Sequence, residues 1–192
     1  MSKTILISGT WGLSSDDWWK VASPFWQMAK AHGLDMAAPD DPFIWTTALE
    51  GVKGDNREWI CAAAALRWFC EAKDIERPNI IAHSHGGQVA LMAAGQGLLI
   101  GTLTTVATPV RNDILEALDT PAGRRENIAR WYHIHTGAGD TMQLAGSLGD
   151  GEVNARRKMP PPAENIYEPD NTHSGLLEVE LWRKRKWFDL LK

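Results

Sequence analysis

A chain of 192 residues is near the size of one domain and long enough to bury roughly 70% of its unfolded surface in a core. Charged residues make up 23% and hydrophobic residues 44%, which excludes a disordered or fibrous chain. The net charge of −4 and pI near 5.9 lack the broad positive field that phosphate backbones and anionic lipid surfaces reward, so no nucleic-acid partner is expected.

In chain order, the apolar run Ile5 to Ile7 behind Lys3 is too short for a signal-peptide core or a membrane span, so a cytoplasmic protein without stable membrane insertion is expected. The run belongs to a strand predicted over Thr4 to Ser8, which opens into the loop Ser8-Gly9-Thr10-Trp11-Gly12. Ser23 before Pro24 is an N-cap followed by proline at the first helical position, and Gly33 stops that helix. A strand over Leu34 to Ala38 and a long loop over Pro39 to Gly54 come next. Asp55 with Glu58 resembles a capping box for a helix that carries Trp59, Ala63, Leu66 and Cys70 at helical spacing. Cys61 and Cys70 fall on opposite faces of this helix and read as buried free thiols.

The second half continues the alternation. Strands are predicted over Asn79 to His83, Gly101 to Ala107, Trp131 to Thr136 and Asn165 to Glu168, with a helical run over Gln88 to Ala94 and a long loop over Gly146 to Pro162. The last helix carries Leu177, Leu181, Phe188 and Leu191, and Arg183 to Lys186 form its solvated face. Strands alternating with helices from end to end predict a mostly parallel sheet of about six strands, covered on both faces, in one domain over residues 1–192. Of the 10 tryptophans, Trp11, Trp18, Trp19 and Trp45 lie in or beside loops. Most should be core; Trp11, Trp18 and Trp45 are candidate walls of an apolar substrate site.

The chemistry centres on Ala82-His83-Ser84-His85-Gly86-Gly87, between a predicted parallel strand and a helix. A serine on so sharp a turn has strained backbone angles and needs small neighbours, which Ala82 and Gly86 supply. A helix start directly behind it offers a positive dipole to a developing anion. A helix-capping serine is the duller reading, but capping does not require small residues on both sides.

A serine hydroxyl needs an imidazole to take its proton, and the imidazole needs a carboxylate to fix its tautomer. In such an elbow the acid and then the base follow on loops after later strands. Asp140 ends the glycine-rich loop Thr136-Gly137-Ala138-Gly139-Asp140, and His173 lies in Pro169-Asp170-Asn171-Thr172-His173, before the last helix. Asp113, after the preceding strand, is the competing acid; Asp170 comes too late in chain order. The oxyanion hole is expected from the backbone N–H groups of His85 and Thr10.

With these parts in this order, the chain resembles the small lipases and esterases of the α/β-hydrolase superfamily, including minimal bacterial lipases with Ala-His-Ser-x-Gly-Gly at the elbow. Many relatives begin the first loop with His-Gly, where this chain has Ser8-Gly9. The resemblance implies the α/β-hydrolase fold and hydrolysis of a small-molecule carboxylic ester with an apolar acyl group, through an acyl-enzyme, without metal or organic cofactor. Two rivals belong to other classes. One is a metallohydrolase built on His83/His85 and His133/His135, disfavoured because another strand should separate the pairs. The other keeps the fold for acyl transfer, lyase or perhydrolase chemistry, or for binding alone.

Overall fold

The computed structural model describes residues 2–9, 17–45, 57–118, 125–137 and 158–192. Six parallel strands form one sheet: β1 (Lys3–Ile7), β2 (Asp35–Met36), β3 (Asn79–His83), β4 (Ile100–Val106), β5 (Ile128–His135) and β6 (Glu164–Tyr167), in the order β2-β1-β3-β4-β5-β6. The chain leaves β1 toward β2 and returns on the other side to β3, so a crevice opens where β1 and β3 end, the usual place for a ligand in an open parallel sheet.

Side chains alternate along each strand and divide the core in two. Ile5, Ile7, Ile80, Ala82, Leu103 and Trp131 face α2 (Arg57–Ala72), α3 (Gly86–Gly95) and α4 (Asn112–Leu118). Leu6, Ile81, Val106 and Ile134 face α1 (Pro24–Ala31), α5 (Val179–Arg185) and the C-terminal turn Trp187–Leu191. Both faces are therefore covered, as parallel strands without a polar side require.

Local chemistry explains most boundaries. The Ser23 hydroxyl accepts from the Trp26 N–H at 3.0 Å, and Gly33, at φ 86°, ends α1 where an L-residue would be strained. Asp55 of the expected capping box lies outside the described residues. The C-terminal helix departs from its expected single span: Lys186 adopts φ 56° and ends α5, and a separate 3-10 turn then buries Trp187, Phe188 and Leu191. The apolar spacing of the whole segment is satisfied by two short pieces rather than one helix. Arg183, Lys184, Arg185 and Lys186 are exposed as expected. Cys70 is buried, and burial pushes its thiol pKa up to about 12, whereas Cys61 is exposed, contrary to the expectation that both would be buried. No described helix is long and apolar enough to cross a membrane.

Candidate active site

β3 ends at His83 and α3 begins at Gly86, so Ser84 and His85 alone make the turn. Ser84 sits at φ 52°, a left-handed conformation that costs an L-residue roughly 1–2 kcal/mol. Its N–H donates to the Val106 carbonyl at 2.8 Å, which ties the bend to the end of β4. Small neighbours are a steric necessity here. A Cβ on Gly86 would lie 2.8 Å from the Ile7 carbonyl and run into that of Ser8, and a Cβ on Gly9 would lie 2.8 Å from the Ser84 Cβ. The two glycines thus let the ends of β1 and α3 close around the serine, which stays half-buried rather than enclosed. His85 stands at the N-terminal end of the ten-residue helix α3, where backbone N–H groups and the helix dipole favour negative charge.

The segment from β6 to α5 brings His173 to the same place. Its half-buried ring lies 4.7 Å from that of His83, centroid to centroid. His83 Nε2 is 3.2 Å from the His173 carbonyl; a carbonyl only accepts, so Nε2 carries the proton. The Thr136 hydroxyl, directly after β5, donates to the Asn171 carbonyl at 2.5 Å. At the start of the segment, buried Glu168 pairs with Arg185 through two oxygens at 2.7 and 2.8 Å, and at its end the Thr172 hydroxyl accepts from the Gly175 N–H at 3.0 Å. Strands β3 and β5 therefore both hold the loop that bears the imidazole.

The competing acid Asp113 pairs with a buried arginine. Arg111 Nε and Nη2 donate to its two oxygens at 3.0 and 2.6 Å, and the buried Arg111 guanidinium stacks 4.7 Å from the Trp59 ring. Trp59 in turn packs 5.0 Å from the His85 ring, so this ion pair braces the α2 side of the elbow. Asp170 is exposed. Asp140, Thr10 and Trp11 lie outside the described residues.

The other expected residues are placed as follows. The Trp45 indole N–H donates to the Ser8 carbonyl at 2.9 Å and its ring is in the core, so this tryptophan pins the end of β1 next to the serine. Trp18 packs edge-on against Phe25 at 5.0 Å and His83 at 6.4 Å, and Trp19 is buried in the same layer. Of the two His-x-His pairs, His133 and His135 stack on each other at 5.6 Å, with His133 Nδ1 2.9 Å from the Thr105 hydroxyl. β4 separates them from His83. Among the described residues, no group of three or more His, Cys, Asp or Glu side chains is arranged to hold a metal ion. Sequence reasoning missed the holding role of His83, which it weighed only as a metal ligand, and those of Thr136 and Arg111. Only the adjacency of His83 to Ser84 hinted at any of them.

Comparison with known proteins agrees with the fold. Over 99% of its length the chain superimposes on a predicted CIB-like hydrolase from Thermoplasma acidophilum, covering 86% of that chain at 15% identity and a TM-score of 0.57. An esterase from Pyrococcus furiosus matches over 99% of this chain and 81% of its own at 16% identity and a TM-score of 0.56. A putative alpha/beta hydrolase from Agrobacterium tumefaciens covers 98% of this chain and 84% of its own, at 11% identity and a TM-score of 0.52. At these identities the likeness is one of fold. No curated protein matches the sequence. The family model described as alpha/beta hydrolase fold, however, matches residues 3–190, nearly the whole chain and all six strands from Lys3 to Tyr167. The chain belongs to the alpha/beta hydrolase fold family.

Proposed function

We propose that this protein is a serine hydrolase of carboxylic esters in which Ser84 is the nucleophile, His173 its base and Asp140 the acid that orients His173. The observation that carries the reading is the left-handed turn at Ser84, braced by Gly9 and Gly86 and approached by the His173 loop. Strain of this kind persists only where the surroundings enforce it, and at Ser84 it coincides with a hydroxyl, two close-packed glycines and the His173 loop, a combination that a helix cap does not need. Asp140 enters through chain order: it follows the end of β5 at His135 by five residues, and Thr136 within that stretch is bound to the His173 loop. The Asp113 carboxylate already binds Arg111, which favours Asp140 over it. The esterase from Pyrococcus furiosus among the similar folds is in keeping with an ester substrate.

The steps follow from these assignments. His173 takes the Ser84 proton as Oγ attacks the carbonyl carbon, and the oxygen, now negative, is met by the N–H groups of His85 and Thr10. Collapse expels the alcohol, which receives the proton from His173, and leaves an acyl group on Ser84. Water, deprotonated by the same imidazole, then releases the acid. Trp11 and Trp18 are proposed around an apolar acyl chain, with the buried Trp45 supporting the end of β1 from behind rather than lining the chain. Turnover of p-nitrophenyl acetate, butyrate and octanoate by the purified protein tests the proposal: hydrolysis that rises with acyl apolarity and disappears in Ser84→Ala is expected, and hydrolysis undiminished in Ser84→Ala refutes it.

A further inference from the structure

His173 lies between the end of β6 at Tyr167 and the turn Gly175–Leu177, on a stretch with neither helix nor ladder to fix it. Inside the stretch the Leu176 N–H donates to the carbonyl of residue 172 at 3.3 Å, and two buried side chains at the ends of β3 and β5 hold it from outside. His83 Nε2–H donates to the carbonyl of residue 173 at 3.2 Å, and the Thr136 hydroxyl donates to the carbonyl of residue 171 at 2.5 Å. These carbonyls belong to the peptide planes 171–172 and 173–174. Together with the Leu176 N–H on the carbonyl of residue 172, these bonds hold the three successive peptide planes around His173 and restrict its backbone, which leaves its own χ angles the freest torsions. Both donors are themselves buried, with His83 2% and Thr136 1% exposed.

We infer that His83 and Thr136 are positioning residues that hold the His173 imidazole in reach of Ser84. The inference rests on the proposed roles of Ser84 and His173. Its physical content is that one strand presents both the nucleophile and one anchor of the base, since Ser84 directly follows His83. The other anchor, Thr136, directly follows β5 and opens the stretch that leads to Asp140. A movement of the end of β3 therefore carries the base along with Ser84, the group it must meet. Misplacement of a catalytic group by about 1 Å can cost about 100-fold in rate, so the anchors should act on kcat rather than on substrate affinity.

The test compares wild type with Thr136→Val, Thr136→Ser, His83→Leu and His83→Gln in the full chain. It follows kcat and KM for p-nitrophenyl butyrate, melting temperature, and hydrogen exchange of the backbone over residues 169–175. Valine keeps the shape of threonine without its donor; glutamine returns an N–H at the reach of Nε2. Thr136→Val and His83→Leu are expected to lower kcat by about 10- to 100-fold with KM within about twofold, and to speed exchange in 169–175 selectively. Serine and glutamine should recover most of both losses. Should His83→Leu fail to fold, the Thr136 pair decides alone. A Thr136→Val enzyme with wild-type kcat, or a Thr136→Ser enzyme as impaired as Thr136→Val, overturns the inference while leaving the nucleophile intact. Undiminished turnover in Ser84→Ala instead defeats the underlying assignment, and the positioning role falls with it.

Discussion

Two neighbouring strands end in nearly the same bend, and only one of the two bends carries a hydroxyl. Ser84 after β3 has φ 52° and donates its N–H to Val106 at the end of β4; Ala107 after β4 has φ 49° and donates its N–H to Ile134 in β5 at 2.9 Å. Backbone strain and hydrogen bonding are alike. The surroundings differ: Ala107 is fully buried and leads into the buried residues Thr108 to Arg111, whereas Ser84 is half-exposed, turns at once into α3 and follows His83, whose ring lies 4.7 Å from that of His173. A left-handed residue at a strand end is thus a property of how this sheet meets its helices. The proposed active site is, among the described residues, the one such bend that also has a hydroxyl, glycines that admit β1 and α3, and a histidine-bearing loop held beside it.

The comparison is broken first by removing or moving the hydroxyl. Ser84→Ala is expected to lower kcat/KM for p-nitrophenyl butyrate by about 10⁴-fold or more at an unchanged melting temperature, and adding Ala107→Ser to that variant should restore nothing. Recovery in the double variant would mean that the bend alone suffices. The acids come next. Asp140→Asn should cost about 10²- to 10⁴-fold in kcat, whereas Asp113→Asn should cost less than about tenfold in kcat and instead lower the melting temperature, because it weakens the pairing of a buried guanidinium. The reverse ranking in steady-state kinetics would make Asp113 the acid.

Smaller effects concern stability. Gly86→Ala drives a methyl into the end of β1 and should destabilise the protein by about 1–3 kcal/mol in urea titration. Ser84→Gly relieves the left-handed strain and should gain about 0.5–1 kcal/mol while abolishing turnover. Ala107→Gly relieves the same strain but forfeits a buried methyl, so its net change should fall within about 0.5 kcal/mol of zero. A gain at both sites would erase the distinction drawn between them.

Much of this framework was legible in the residues themselves. β3 was read residue for residue because an apolar run stands between Pro78 and the Ser84 turn, and the N-cap of α1 because Ser23-Pro24 combines two local signals. β5 starts three residues before its expected first residue, Trp131, because exposed Ala129 and Arg130 interrupt the apolar run although their backbone still pairs with β4. β2 pairs over only two residues of the five expected: Ala37 and Ala38 are apolar enough, but Ala38 turns at φ 34° and ends the ladder. The break at Lys186 was hidden because periodicity records which side chains are apolar and not where a lysine goes left-handed. The anchors of the site were less legible still. The bonds from Trp45 to Ser8, Thr136 to Asn171 and His83 to His173 span 37, 35 and 90 residues. Polar side chains that reach across the fold leave no local pattern, so they emerge only when the strands are placed side by side.

Covalent trapping asks whether the hydroxyl of Ser84, among all those in the chain, has been made nucleophilic. Incubation with a fluorophosphonate followed by peptide mass spectrometry should find one phosphonyl group per chain, on Ser84, with labelling slowed at least about 100-fold in His173→Ala. An unmodified Ser84 under conditions that label a known serine esterase, or equal labelling of several hydroxyls, would contradict the account.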